Sequence, residues 1–297
     1  LNLKDTDLSI GTSIINRYQE NGSNDSIPSN VSAYGGRLNM YSGNFSLSIE
    51  GAIKDPDVIA NENTLVSNRL YDGTALQVDF GYSKKGIGLN TTFRRLENFN
   101  FYSDRLAEGN IYNQKTLSFT PTLSKQQDYL LTNIYVYNSQ PRLVMNSIEK
   151  RSGEVGFQND FYYSFNQDNF LGKYKTKIAF NFSYWSGIES SFNEDNSYDV
   201  KFIGKGPRYY RDLNLEIKNR WNSKLRTAIT FLDVIVDKGI TLGGPLGVQG
   251  DIKAKVGVIE ANYLHANGKS SRGVVQHLWT KNDRKNWLGL VYEYGIS

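Results

Sequence analysis

The sequence predicts an all-β chain that forms an antiparallel up-and-down transmembrane β-barrel of about fourteen strands. Three observations favour this fold class: a composition rich in strand formers, side chains that alternate in polarity with period two, and connections that alternate between short and long. Of 297 residues, 20 are Tyr, 15 are Phe and 27 are Gly, whereas only 6 are Pro and 2 are Met. Aromatic residues are enriched in strands, so the composition itself indicates β-structure.

Hydropathy and charge exclude several classes of protein. The mean hydropathy of -0.50 and the lack of a long apolar run exclude a transmembrane helix. A barrel strand alternates apolar with polar side chains, so an ordinary hydropathy is compatible with a membrane barrel. The net charge of +4 comes from Lys and Arg spread along the chain, which argues against nucleic-acid binding. No composition break marks a second domain, so we expect one domain over residues 1–297.

Period-two alternation predicts strands along most of the chain. The clearest example is a hairpin with a two-residue loop at Lys84 and Lys85, which would place Tyr82 opposite Ile87. In this hairpin the apolar side chains of both arms share one face. The predicted strands cover 8–18, 31–41, 45–53, 75–83, 86–95, 115–123, 129–138, 153–165, 175–186, 209–221, 225–235, 252–265, 271–280 and 286–295.

The connections between the predicted strands are short and long in turn. Outer-membrane barrels combine short periplasmic turns with long extracellular loops, whereas a soluble sandwich has no reason to make every second connection long. The sequence therefore predicts a bacterial outer-membrane location, with outer-membrane lipid around the barrel. The long connections cover 20–30, 54–73, 97–113, 139–151, 187–207 and 237–250.

The strand faces predict which side chains meet lipid and which line a lumen. Phe180 and its alternate neighbours form an apolar face, and Asn181 belongs to the opposite face. Charges of both signs on the second face are compatible with a porin-like constriction or with a network of ion pairs that closes the lumen. The lumen-facing candidates are Asp79, Arg94, Glu154, Asp160, Lys177, Asp212, Glu216, Lys218 and Arg226.

Three segments, 44–56, 78–95 (VDFGYSKKGIGLNTTFRR) and 117–138 (LSFTPTLSKQQDYLLTNIYVYN), resemble a family of outer-membrane proteins from Bacteroidota that is catalogued as a domain of unknown function. The resemblance implies a barrel and an outer-membrane location, but it supplies no activity and no functional residues. Members look longer than this chain, which implies that this chain is the C-terminal part of a larger barrel. The resemblance also suggests envelope protein partners, among them components of type IX secretion.

The sequence shows no arrangement of residues typical of an enzyme. The two histidines, His265 and His277, are too far apart in the predicted register to share a metal. A barrel-housed hydrolase remains an alternative, although no Ser beside either His has a motif context. We therefore expect no catalytic, cofactor-binding or metal residues. The favoured hypothesis is an accessory or structural component of an envelope or secretion complex, and the alternative is a porin-like channel or a substrate-specific transport barrel.

Overall fold

The computed structural model shows an all-β chain. The structure describes residues 2–3, 5–20, 27–58, 60–61, 64–65, 70–99, 101–102, 104–105, 125, 127–137, 153–192, 198–204, 206–239 and 249–296. None of the helical turns within these ranges has the length or the apolar character needed to cross a membrane.

One antiparallel sheet of 13 strands contains most of the described residues, and its strands follow one another in sequence order. Twelve of them are long, and each pairs with the strand before and after it in this order, so the sheet is a meander. Two small hairpins, β5–β6 and β11–β12, lie outside the sheet. The strands are β1 (Asn2–Leu3), β2 (Thr6–Tyr18), β3 (Asn30–Ser42), β4 (Phe45–Asp57), β5 (Ala60–Asn61), β6 (Thr64–Leu65), β7 (Tyr71–Lys84), β8 (Ile87–Glu97), β9 (Gly153–Ser164), β10 (Lys177–Ser186), β11 (Ser190–Phe192), β12 (Tyr198–Val200), β13 (Arg208–Arg220), β14 (Leu225–Asp237), β15 (Asp251–Leu264), β16 (Ser270–Lys281) and β17 (Trp287–Gly295).

Twelve of the predicted strands are confirmed by the twelve long strands, with shifted ends. The predicted strand 115–123 lies outside the described residues. The predicted strand 129–138 is wrong over 129–137, which forms turns and irregular backbone. The reason is topological: β8 pairs directly with β9, and Glu97 lies opposite Gly153, so no strand can lie between them.

The alternation of connection lengths holds along the sheet with two exceptions. Connections at one end, which we call the turn end, are short at 43–44, 85–86, 221–224 and 265–269, but 165–176 is longer and contains a 3-10 turn, Gly172–Tyr174. At the opposite end, the loop end, 282–286 is short. The predicted loops 97–113 and 139–151 belong to a single connection, 98–152, between β8 and β9.

The hairpin at Lys84 has the predicted faces but not the predicted register. Lys84 pairs with Ile87 and Tyr82 pairs with Leu89, so the two-residue loop is Lys85 and Gly86. Gly86 has φ +85, a backbone conformation that glycine adopts without a steric penalty. Because the shift is by an even number of residues, every side chain keeps its face.

The two ends of the sheet do not pair with each other within the described residues. β17 pairs with β16 and β1 pairs with β2. One face of the sheet is covered by residues 125 and 127–137, which contact strands from β9 to β17. Tyr137 donates a hydrogen bond to Glu154 on β9, while Tyr135 donates one of 2.5 Å to Asp283 beyond β16. A strongly curved sheet brings such distant strands together, so we call the covered face the concave face and its opposite the convex face.

Gly86→Ala should lower the free energy of unfolding by about 1 kcal/mol, because an L side chain at positive φ is strained. Gly36→Ala on β3 is the matched control, since a Cβ there would meet nothing within 4 Å and φ is ordinary. Denaturant unfolding of both variants in detergent measures the difference. Equal stabilities for Gly86→Ala and Gly36→Ala would contradict the turn assignment.

Candidate functional site

The convex face carries a continuous apolar surface. Across six neighbouring strands, from β10 to β17, one row of directly opposed residues is entirely aliphatic, and most of its members are exposed. In it, Ile229 is 51%, Ile259 60% and Leu290 70% exposed. We call this surface the apolar band. The aliphatic row consists of Ile178, Ile217, Ile229, Ile259, Val275 and Leu290, and the row above it in β10, β13 and β14 consists of Phe180, Leu215 and Phe231.

Charged residues limit the apolar band toward the loop end, and between β15 and β4 this limit shifts along the strand register. On β15 the first charge is Lys255, which shares a row with Leu47 on β4. On β4 the outward side chains stay uncharged beyond Leu47 as far as Ile53, and the first charge is Asp55. When tilted strands cross a flat apolar layer, the position of the first charged residue shifts along the register from one strand to the next.

Part of the concave face buries polar side chains, although the concave side chains of β14, β15 and β16, such as Leu232, Val256 and Leu278, are mostly apolar. Asn181 is 3% exposed, while the preceding Phe180 on the convex face is 37% exposed. Asp212 and Gln276 on the same concave face are 2% and 1% exposed. Buried polar groups need hydrogen-bond partners, and each of these has at least one: Asn181 donates to Asp160 at 2.9 Å, Ser183 donates to Asp212, and Gln276 accepts from the backbone of Leu131 at 3.0 Å. The Oδ1 of Asn181 has no partner among the described residues.

All nine residues predicted to line a lumen lie on the concave face, but they belong to different groups. Asp79 accepts hydrogen bonds from Gln77 and Thr92, and Asp160 accepts from Gln158 and Asn181. Asp212 is buried beside Ser183. The remaining six separate into a buried pair toward the loop end, Arg94 and Glu154, and a group toward the turn end, Lys177, Glu216, Lys218 and Arg226.

The buried pair is the centre of a closely packed cluster. The Arg94 guanidinium contacts Glu154 through Nε at 2.9 Å and a terminal nitrogen at 2.7 Å, and it lies 5.0 Å from the Trp185 ring centroid. Tyr137 stacks on Trp185 with ring centroids 5.8 Å apart and donates its hydroxyl hydrogen to Glu154. Burial raises the pKa of Tyr137 well above its usual value, so the phenol stays protonated and remains a donor.

Residues 125–137 connect this cluster to the far strands of the sheet. Tyr210 donates to the Tyr135 carbonyl at 3.2 Å, and burial raises the pKa of Tyr129 to about 12, with Glu260 as the next cause. A hydrophobic core forms where the segment meets the sheet. This core includes Tyr135, Tyr137, Trp185, Tyr210, Leu232, Val234, Val256 and Leu278.

A second part of the same connection packs against the first strands. Arg105 donates from Nε to Asp57 at 2.8 Å, and Arg17 on β2 contacts the other oxygen of Asp57 at 3.4 Å. Phe101 packs with Val31 and Ala33 on β3. Asp57 therefore has two guanidinium partners. Residues of the β8–β9 connection thus cover the concave face at both sides of the sheet.

The histidines take part in no metal site among the described residues, where no group of three or more His, Asp or Glu side chains could hold an ion. His277 packs against Trp279 with ring centroids 4.0 Å apart and the ring planes tilted by 49°. His265 Nε2 lies 2.7 Å from Ser271 Oγ near the turn end. Two aromatic rings, Tyr263 and Tyr294, flank this histidine.

Sequence reasoning missed several residues of these clusters. Tyr137 and Tyr135 were assigned to a strand, because their alternation with Ile134 and Val136 is typical of one. The sequence also gives no reason to single out Arg105, which contacts Asp57. The available signal was the pair Arg94 and Glu154: a charge in the middle of a predicted strand needs a partner.

The chain belongs to a family described as "Family of unknown function (DUF6029)", whose sequence model matches residues 1–297. No curated protein and no solved structure matches the chain.

Glu154→Gln should lower the free energy of unfolding by about 3–5 kcal/mol, because it leaves the Arg94 guanidinium buried without its counter-ion. Glu216→Gln is the matched control: Glu216, whose side chain is 12% exposed, contacts Lys218 at 2.9 Å, and the lysine that would lose its partner is 55% exposed and can be solvated by water. An exposed pair contributes about 1 kcal/mol or less. Urea unfolding in detergent compares the two variants, and similar losses would contradict a structural role for the buried pair.

Proposed function

We propose that this chain is an integral β-barrel of the bacterial outer membrane, that residues of its β8–β9 connection fill the lumen, and that it acts as an accessory or structural component of an envelope or secretion complex. The family carries no assigned activity, so the proposal depends on the geometry. The observation that carries it is the reversed burial of β10 and its neighbours. A row of aliphatic side chains faces outward, while Asn181, Asp212 and Gln276 are buried.

Water would penalise the exposed row. Burying apolar surface is worth roughly 25 cal/mol per Å², and soluble monomers rarely expose large contiguous apolar patches. Lipid removes that penalty. The shift of the charged limit of the apolar band between β15 and β4 supports the same interpretation, because tilted strands that cross a bilayer of constant thickness would show it. Above the band, the convex face carries ion pairs such as Arg211 with Asp233 at 2.7 Å, which fits a part of the barrel that extends into water.

Membrane insertion requires that no strand edge is left unpaired in lipid. The proposal therefore requires that β2 and β17 pair with each other or with further strands. With twelve long strands, β2 begins and β17 ends at the turn end. In bacterial barrels this is the periplasmic side, so the long loops would face outward and be available to envelope partners, among which type IX secretion components are candidates.

The filled concave face favours an accessory role over a passive channel. Ions crossing the barrel would have to pass along the concave face, but Tyr137, Trp185 and Arg94 pack there and are almost completely buried. A porin-like channel or a substrate-specific transport barrel is the second candidate, favoured by the charged and less filled concave face toward the turn end. A barrel-housed hydrolase is less favoured. Ser271 and His265 are in contact, but no carboxylate contacts this histidine among the described residues.

Ile259→Arg should lower the free energy of unfolding by about 2–4 kcal/mol in a bilayer, because it places a cation against lipid. Ile203→Arg is the matched control, since Ile203 is 68% exposed in the β12–β13 connection, outside the apolar band, and Ile259 is 60% exposed. At this position we expect a change within about 0.5 kcal/mol. Unfolding from lipid vesicles measures both, and equally small effects would mean that the apolar band faces water.

Replacing residues 99–151 by a short turn should open the barrel. Glu97 and Gly153 are opposite each other, so a short turn can join β8 to β9 without altering the pairing. In planar bilayers the native chain should show little steady conductance and the shortened chain a stable channel. Replacing 188–206 is the control, because Ser186 and Arg208 are similarly opposed. Large channels from the native chain would favour a porin.

A further inference from the structure

Two pairs of like charges lie directly opposite each other at the turn end of the concave face. Lys177 on β10 is the partner of Lys218 on β13, and Arg220 on β13 is the partner of Arg226 on β14. Like charges in directly opposed positions destabilise a sheet. Two such pairs on three consecutive strands therefore cost stability, which indicates a role other than holding the sheet together.

These cations are poorly neutralised within the described residues. Lys218 contacts Glu216 at 2.9 Å. No carboxylate lies within 4.0 Å of the Lys177, Arg220 or Arg226 side chains in that part of the chain. Glu260 on β15 lines the same cavity, but its carboxylate is paired with Arg272 at 2.9 Å. Lys177, Arg220 and Arg226 thus have no paired carboxylate among the residues described.

A cavity of about 440 Å³ lies among these side chains. Its volume is within the usual range of small-molecule sites, roughly 300–1,000 Å³. Most of its lining residues belong to β10, β13, β14 and β15, so strand pairing fixes the backbone positions of these residues. The cavity is lined by five cations, one carboxylate and two amides: Lys175, Lys177, Lys218, Arg220, Arg226, Glu260, Asn219 and Asn262.

We propose that this cavity binds a small, multiply charged oxyanion such as a polyphosphorylated molecule. Arginine guanidinium groups offer paired N–H donors that match phosphate oxygens, and lysine ammonium groups add point charge. A ligand with several negative charges separates Arg220 from Arg226 and Lys177 from Lys218, and so relieves both repulsions at once. The proposal depends on the concave face of the sheet and not on membrane insertion, so it can fail or succeed independently of the proposed barrel.

Calorimetric titration of the full chain in detergent with inorganic tripolyphosphate tests the site. We expect saturable binding that weakens as salt rises, because the contacts are ionic. The double variant Arg220→Gln/Arg226→Gln should bind at least tenfold more weakly. Lys253→Gln/Lys255→Gln removes the same charge from the exposed convex face and should bind like the native chain.

Thermal unfolding gives a second readout, which a purely structural pair would not reproduce. Without ligand, Arg226→Gln should unfold at a higher temperature than the native chain, because it removes the repulsion from Arg220. Tripolyphosphate should raise the unfolding temperature of the native chain and change that of Arg226→Gln little. The proposal is overturned if the native chain does not bind, if the convex-face variant weakens binding as much as the site variant, or if hexaglutamate peptide binds more tightly than tripolyphosphate.

Discussion

The pairing register of the twelve long strands determines everything else in this structure. Successive side chains of a strand point to opposite faces, so a slip by one residue would exchange the two faces completely. Phe180 and Asn181 are an example. Phe180 belongs to the apolar band on the convex face, whereas Asn181 is buried on the concave face and donates a hydrogen bond to Asp160. The same register places Arg94 beside Glu154 and sets like charges opposite each other at the turn end.

The sequence predicts the strands and their faces well because both are local properties. Period two is visible in any stretch of about eight residues, and an even slip leaves it unchanged, which is why the faces around Lys84 are right although the pairing is wrong by two residues. Residues 129–137 show the limit of this reasoning. Their alternation resembles that of a strand, but the direct pairing of Glu97 with Gly153 excludes one there, and long-range pairing is not visible locally.

The candidate sites were predictable only in part for a related reason. Lys177, Lys218 and Arg226 follow from their faces, and Arg220 shares the face of Lys218 in the predicted strand 209–221 without being among the nine candidates. Lys175 is predicted at the start of a strand but lies in the turn before β10, with φ +49. The buried cluster needed two contributions: Arg94 and Glu154 are predictable as inward charges, whereas Tyr137 reaches them from an irregular segment. The geometry of such a segment depends on the surface it covers, and that surface is formed by strands far away in sequence.

The direct pairing of β8 with β9 also bears on how the chain folds. Joining two strands through a connection of this length costs about 3 kcal/mol more loop-closure entropy than joining them through a two-residue turn. The contacts that the connection makes with the sheet, from Arg105 to Tyr137, offset this cost only once the strands have assembled. The sheet is therefore expected to form first from its short hairpins, and the parts of the β8–β9 connection that cover the concave face are expected to dock late. Changes in the length of this connection should then leave the assembly of the sheet intact.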